Sequence, residues 1–313
     1  MPTVPPARPS SASCRERTPV TLEQLRIFVA VAERQHVTRA AQALNLAQSA
    51  ASAAIAALEA RHGAKLFYRV GRGIELTETG RQFLPEARAV LARAEAAELA
   101  LAELSGLSRG RLLVHASQTI ASYWLPRHLA AFRRAHPRVE VRMAIGNTAQ
   151  VAAAVREGAA ELGFVEGRVD DPVLAATPLA RDRMVLVVGA DHPWEGRARV
   201  GADELPATDW VLREPGSGTR SAFEAALAAH GLAPDALTVA LELPSNEAVR
   251  AAVEAGLGAT VISASVAAPS LEAGLLHHVG FDLPERDFLA LHHRERGQSR
   301  AASALLAAIR GLR

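Results

Sequence analysis

The sequence predicts an α/β protein with two parts: a winged helix-turn-helix unit near the start, then a mainly parallel sheet with helices on both faces. Three observations predict it. Short amphipathic helices and a Gly/Arg-rich hairpin fill residues 21–76. A long helical stretch with a narrow apolar stripe follows, over residues 77–104. From residue 112 onward, strand and helix patterns alternate.

The composition sets the bounds. At 313 residues the chain is long for one domain and suits two. Hydrophobic residues make up 49% and charged residues 22%, enough for a packed core; with aromatics at only 4%, that core is built from Leu, Val and Ala. The formal net charge of +2 excludes a polycation, so any nucleic-acid contact must come from a local basic patch. Cys14 is the single cysteine, which rules out an internal disulfide and gives a metal no cysteine pair. It fits a reducing cytoplasm, the expected location. No apolar run is long enough to span a bilayer, so no membrane partner is expected. Residues 1–18 are rich in Pro and Arg and lack the apolar middle of a secretion signal, which reads as a disordered tail.

Taken in order, Thr21 and Gln24 form a capping box, and Leu22, Leu25, Phe28, Val29 and Ala32 recur at helical spacing in a first helix ending near Gln35. A second helix covers 38–44, with Thr38 as its expected cap and Asn45 as its stop. A third begins near Gln48, turns Ala51, Ile55 and Leu58 inward, and ends at His62-Gly63. Leu66-Phe67-Tyr68-Arg69 and Ile74-Glu75-Leu76 flank Gly71-Arg72-Gly73 and read as a hairpin. The long helix carries Phe83, Ala87, Val90, Ala94, Ala97, Leu101 and Leu104 at threes and fours, a stripe that suits pairing with its own copy. Packing within its own domain is the alternative. Residues 105–110 read as a hinge. Strands are expected at 112–116, 139–145, 162–165, 184–188, 210–212, 239–243, 260–263 and 288–291. Helices are expected at 120–134, at 148–157, near 219 and 246, and at 301–309.

Gln48, Ser49 and Ser52 lie on the first turn of the third helix, where a helix in the major groove meets base edges and phosphates. Simple capping by Ser49 is the plainer explanation. Arg34, Arg39, Arg69 and Arg72 flank this helix, the last two on the hairpin, where they can hold phosphate or enter the minor groove. In the second part, Arg213-Glu214-Pro215-Gly216-Ser217-Gly218-Thr219-Arg220 follows a strand and opens a helix. Its glycines, its hydroxyls and the helix N-terminus suit an anion. It is neither a dinucleotide fingerprint nor a Walker loop, and it could also be a plain strand-to-helix turn. Ser117-Gln118-Thr119, Asn147-Thr148 and Ser245-Asn246 hold equivalent positions at strand ends, the edge where open α/β sheets bind ligands. Any one of them could be only a helix cap. Glu166 also ends a strand and could be a base, a ligand contact or a surface charge. The pairs His277-His278 and His292-His293 point to opposite faces and make poor chelates. No nucleophile elbow and no zinc spacing is present, so no enzyme, cofactor or metal is expected.

These residues carry a family likeness. Residues 21 to about 107 resemble the DNA-binding end of the LysR-type transcriptional regulators. The likeness rests on Val37-Thr38-Arg39-Ala40-Ala41, on Leu44-Asn45-Leu46-Ala47-Gln48-Ser49-Ala50-Ala51-Ser52, on Leu66-Phe67-Tyr68-Arg69 and on Leu76-Thr77-Glu78-Thr79-Gly80. The rest resembles that family's effector-binding domain, which is similar in fold to type-2 periplasmic binding proteins. The stretches 117–120, 145–148, 161–167 and 213–220 most resemble a sub-branch that includes the CysL-like regulator of sulfite reductase genes.

The resemblance implies a homodimer or homotetramer on double-stranded promoter DNA, responding to a small anionic or carboxylate effector. It implies a tail at 1–18, a DNA-binding domain at 19–77 and a linker helix at 78–107. The effector domain would span 108–313, with lobe I at about 108–180 and 279–313 and lobe II at about 181–278. Arg34, Thr38, Arg39, Gln48, Ser49, Ser52, Arg69 and Arg72 would meet DNA. Ser117, Gln118, Thr119, Asn147, Thr148 and Glu166 would line the effector cleft from one side. Gly216, Ser217, Gly218, Thr219, Ser245 and Asn246 would line it from the other. Phe83, Val90, Leu91, Leu101 and Leu104 would pair protomers. One departure stands out: Ala53, Ala54 and Ala56 follow Ser52 where many relatives are basic, which shifts phosphate grip to the flanking arginines. The alternative function is a cytoplasmic small-molecule-binding protein with no DNA-reading role.

Overall fold

The computed structural model describes residues 19–70, 73–104 and 110–311, and the chain divides into two units, Met1–Leu91 and Ala92–Arg313. The expectations for the tail, for Arg72 and for the hinge at 105–109 lie outside the described residues.

In the first unit, Thr21 caps α1 (Leu22–Arg34). Its Oγ1 accepts from the Gln24 amide at 3.2 Å, and Gln24 Oε1 accepts from the Thr21 amide at 3.2 Å. Leu25, Phe28 and Val31 are buried along one face. The cap of α2 (Val37–Ala43) differs from the expectation. It is His36, not Thr38: His36 is the extended residue, and its Nδ1 accepts from the Arg39 amide at 3.4 Å. Thr38 therefore sits inside the first turn, with its side chain exposed. Asn45, at φ 56°, turns the chain into α3 (Gln48–His62), which ends at Gly63. The strands β1 (Phe67–Val70) and β2 (Gly73–Leu76) pair antiparallel, with Phe67 opposite Leu76 and Val70 opposite Gly73. Phe28 packs against Phe67 and Phe83 at ring-centroid distances of 5.5 and 5.1 Å.

Glu59 anchors the wing. It lies on the buried side of α3, where its Oε1 accepts from the amides of Leu66 at 2.8 Å and Phe67 at 3.2 Å. Its Oε2 takes Lys65 Nζ at 2.7 Å. Burial pushes this carboxyl upward, but Lys65 and the two amides outweigh it and hold the group below the ordinary range. Thr77 then leads into α4 (Glu78–Leu104): its Oγ1 donates to the Lys65 carbonyl at 2.7 Å and accepts from the Gly80 amide at 3.0 Å. Gly80 is needed for this crossing, because a Cβ there would lie 2.2 Å from the Leu66 carbonyl oxygen.

The stripe on α4 is shared between two uses. Ala87 is buried in the first unit's core, and Phe83 and Leu91 pack partly against it. Val90 and Leu101 are 48% and 68% exposed. The side chain of Leu104 lies outside the described residues.

The second unit holds two five-stranded sheets. Its elements begin with β3 (Arg111–Ser117), a π-helical turn at Ile120–Trp124, α5 (Leu125–Ala135), β4 (Glu140–Gly146), α6 (Thr148–Glu157), β5 (Leu162–Glu166) and β6 (Leu174–Asp182). The chain then crosses to β7 (Met184–Gly189), β8 (Asp209–Arg213), α7 (Gly218–Ala229), β9 (Thr238–Leu243), α8 (Asn246–Glu254), β10 (Ala259–Ser263), α9 (Ala264–Glu272) and β11 (Leu276–Val279). It returns as β12 (Arg286–His293) and closes with α10 (Arg300–Gly311). The sheet orders are β4-β3-β5-β12-β6 and β11-β7-β10-β8-β9.

The expected mainly parallel sheet is in fact mixed. β3 runs parallel to β4 and β5, and β8 parallel to β9 and β10. β12 is antiparallel to β5 and β6, and β7 to β10 and β11. Strands that arrive from the other sheet need no helical crossover, so they add antiparallel. The expected helix at 120–134 opens as the π-turn, ahead of Pro126. All three tryptophans lie in this unit: Trp124 packs against Phe288 at 5.6 Å, and Trp194 against Trp210 at 6.2 Å. Among the described residues, no helix is long and apolar enough to cross a membrane.

Replacing Glu59 with Ala strands the buried Leu66 amide. The loss expected is about 1–3 kcal/mol of first-unit stability in urea denaturation. Because the folded-state pKa is depressed, Glu59's contribution is full above the unfolded value of 4.5 and is lost as pH falls through the folded one. The difference between wild type and Glu59→Ala should therefore shrink in acid.

Candidate functional site

The first-unit site is the start of α3. Ala47 holds the cap position, so no serine is occupied in capping and the plainer explanation for Ser49 does not apply. Gln48 and Ser49 are exposed, and Gln48 Nε2 donates to Ser52 Oγ at 2.9 Å one turn along. Thr38, Arg39 and Arg69 are also exposed. Arg34 is exposed too, but its Nη1 lies 3.8 Å from Glu33 and within 3.4 Å of the Ala30 carbonyl. Tyr68, 44% exposed on the wing beside Arg69, donates to Glu75 at 3.0 Å. Polar and basic side chains thus reach solvent on a helix tip and on a hairpin of one unit.

The second-unit site lies at the carboxyl ends of the parallel strands. Ser117 ends β3 and Glu166 ends β5; Asn147 follows β4, Ser217 precedes α7, and Ser245 follows β9. Ser117, Thr119, Asn147, Thr148, Glu166, Ser217, Thr219 and Asn246 are buried, while Gln118 and Ser245 are half-buried and Gly216 is exposed. These residues come together across the two sheets. Asn246 donates from its amide to Gln118 Oε1 at 2.8 Å and from Nδ2 to Thr119 Oγ1 at 2.9 Å. Gln118 Nε2 donates to Glu247 at 2.9 Å, and the Tyr123 hydroxyl does so at 3.1 Å. Burial, and then the adjacent Glu247 carboxylate, push the Tyr123 hydroxyl up. The Ala149 amide donates to the Gly216 carbonyl at 3.2 Å. Gly218 packs so tightly that a Cβ would stand 2.5 Å from the Glu166 carbonyl and 2.6 Å from Thr148 Oγ1.

The helix starts here are not equivalent. Asn147 and Ser245 cap α6 and α8 with their own side chains. α7 has no side-chain cap bond among the described residues, although Ser217 occupies that position. Its first amides remain available to an acceptor. Ser117 Oγ is buried without a hydrogen-bond partner among the described residues.

Sequence reasoning missed the charged members. Arg213 is buried, donates to Asn246 Oδ1 at 2.6 Å, and pairs with Glu214 at 2.8 Å. Burial raises the Glu214 carboxyl, but bonds from Arg213 and Asn147 outweigh it and hold the group low. The signal for these two was their place at the head of the Gly-Ser-Gly segment. Arg286 sits 2.7 Å from Asp182 and donates to Thr219 Oγ1 at 3.1 Å. No local pattern marks it. Neither histidine pair joins this cleft: His277 and His278 lie on β11, with His277 3.4 Å from Glu195, and His292 and His293 end β12.

Residues 22–81 match the family described as bacterial regulatory helix-turn-helix protein, lysR family. Residues 105–312 match the LysR substrate binding domain. The HTH-type transcriptional regulator YeiE of Escherichia coli strain K12 is 35% identical over 289 residues, covering 92% of this chain and 96% of YeiE. A full-length OxyR variant from Pseudomonas aeruginosa shares the fold, with a TM-score of 0.67 at 24% identity, over 94% of this chain and 95% of that one. The regulatory domain of Synechocystis PCC6803 CcmR in complex with 2-PG has a TM-score of 0.60 at 25% identity, over 65% of this chain and 97% of that one.

The Arg286–Asp182 pair should be indispensable to the second unit. Arg286→Ala leaves a buried carboxylate without its cation and should cost about 3–5 kcal/mol in chemical denaturation. The double substitution Arg286→Met with Asp182→Asn should recover part of that loss. Equal stability of Arg286→Ala and wild type would show the pair to be dispensable.

Proposed function

The chain belongs to the LysR family of transcriptional regulators, and from that premise we propose which of its residues read DNA and which receive the effector. The observation that carries the proposal is the free polar tip of α3. Gln48 and Ser49 are exposed, and Ala47, not a serine, sits at the cap. Gln48, Ser49 and Ser52 enter the major groove, with Gln48 suited to pair with adenine. Arg34, Thr38, Arg39, Arg69 and Arg72 hold backbone phosphates. Arg34 contributes least, since Glu33 stands beside it.

The effector is a small anion held at the strand-end cleft. Support comes from the uncapped first turn of α7, the unpartnered Ser117 hydroxyl and the hydroxyls of Thr148 and Thr219. The CcmR regulatory domain, similar to this chain, is known in complex with 2-PG. The reader spans 19–77, the linker 78–107 and the sensor 108–313, with lobes at 108–180 plus 279–313 and at 181–278. Two copies pair along α4 through Val90, Leu101 and Leu104, while Phe83 and Leu91 divide their surface between that seam and the first unit's core. Within the family, the chain falls in the CysL-like sub-branch, a reading supported by the stretches 117–120, 145–148, 161–167 and 213–220. This is a cytoplasmic regulator with no catalytic role.

Fluorescence anisotropy on promoter and random duplexes tests the reader. Gln48→Ala should lower the specific-to-random affinity ratio by about 1–3 kcal/mol. Arg69→Ala should weaken both duplexes alike and reduce the log–log salt slope by about one. If both variants match wild type on both duplexes, the DNA assignment fails. Leu101→Asp should shift the sedimenting species toward the protomer. An unchanged sedimentation profile would remove Leu101 from the seam.

A further inference from the structure

Acidic side chains ring the cleft, and most have their charge met. Glu214 is held by Arg213 and Asn147. Glu247 accepts from Gln118, Tyr123 and Ser245. Asp182 takes Arg286 and Ser263.

Glu166 is placed differently. It ends β5 at 2% exposure, and among the described residues the one side-chain donor near its carboxylate is Thr148 Oγ1, at a long 3.5 Å. That hydroxyl has a single proton, and it also lies 3.3 Å from Glu166's own carbonyl oxygen. On the adjacent strand β3, the buried Ser117 hydroxyl has no partner among the described residues. Thr148 and the Glu166 carbonyl both crowd against Gly218, so this residue stands beside the uncapped turn of α7.

A buried carboxylate is costly unless hydrogen-bond donors meet it. An anion with no proton, seated on the α7 amides, would bring a second negative charge near Glu166 with only the single Thr148 hydroxyl proton beside them. An anion that carries a proton on a hydroxyl, an ammonium or an acid oxygen would donate to Glu166 while its charge faces the amides. We infer that Glu166 selects the effector, which is an anion that itself carries a hydrogen-bond donor. The inference rests on the reading of this cleft as the seat of an anionic effector, and Glu166 deepens that reading into a chemical class.

The test uses the full chain at neutral pH and two matched pairs, followed by calorimetric titration and thermal shift. Inorganic phosphate carries a proton where sulfate carries none, and malate carries a hydroxyl where succinate has none. In at least one pair the proton-bearing member should bind wild type about 10- to 100-fold more tightly. In Glu166→Gln that gap should close to within about threefold, because the amide donates to the proton-free member. The comparison within each pair on the unsubstituted chain needs no variant. Equal binding within both pairs, or a gap that survives in Glu166→Gln, overturns the inference and leaves the anionic effector standing. No binding by any of the four anions overturns both, as does stabilisation by ethanolamine alone.

Discussion

The second unit depends on the way its chain passes between two sheets. Asp182 is the last residue of β6, at the outward crossing, and Arg286 is the first of β12, after the return. They meet as a buried ion pair, each side chain about 4% exposed. Asp182 also accepts from Ser263 at the end of β10, and Arg286 reaches Thr219 in α7. One pair therefore ties both crossings to a strand and a helix of the second sheet. Desolvating such a pair is expensive, and good geometry with extra hydrogen bonds is what makes it tolerable. Through Thr219 the pair also touches the start of α7, which borders the cleft, so the crossings and the candidate site share one set of contacts.

The cleft is consequently a place where polar groups satisfy one another. Gln118, Thr119 and Tyr123 from one side meet Asn246 and Glu247 from the other, and Asn147 meets Glu214. In the proposed reading, an effector entering here exchanges hydrogen bonds instead of making wholly new ones. Its net gain per contact is correspondingly modest, and selectivity comes from which buried groups would be left unsatisfied. Groups that the protein's own contacts leave least satisfied weigh most, which is why the proposed effector reading rests on Ser117 and Glu166 more than on their better-bonded neighbours.

The first unit is readable because its signals are local. The capping box at Thr21 and Gln24, the Asn45 turn, the Gly63 exit and the hairpin register each depend on residues a few positions apart. The cap of α2 escapes that reading because a histidine ring does what threonine is expected to do. In the second unit the parallel strands are legible as apolar runs. β6 is not, since Leu174–Asp182 contains Pro178 and alternates weakly, and β11 is only four residues long. α9 carries Pro269, which hides it. The strand-end hydroxyls and amides of the site follow from position. Arg286 and Tyr123 do not, because what brings them to the cleft is tertiary: a π-turn and an antiparallel return strand.

The tryptophans give the molecule an optical asymmetry. Trp124, Trp194 and Trp210 are all buried in the second unit, and the first has none. Indole emission therefore comes from the second unit alone and is silent about the first. Trp124 closes the π-turn that follows Ser117-Gln118-Thr119 and touches Phe288 on β12, two residues beyond Arg286. It stands as a native chromophore beside the cleft residues and the return strand, so its emission reports on that environment without an added label.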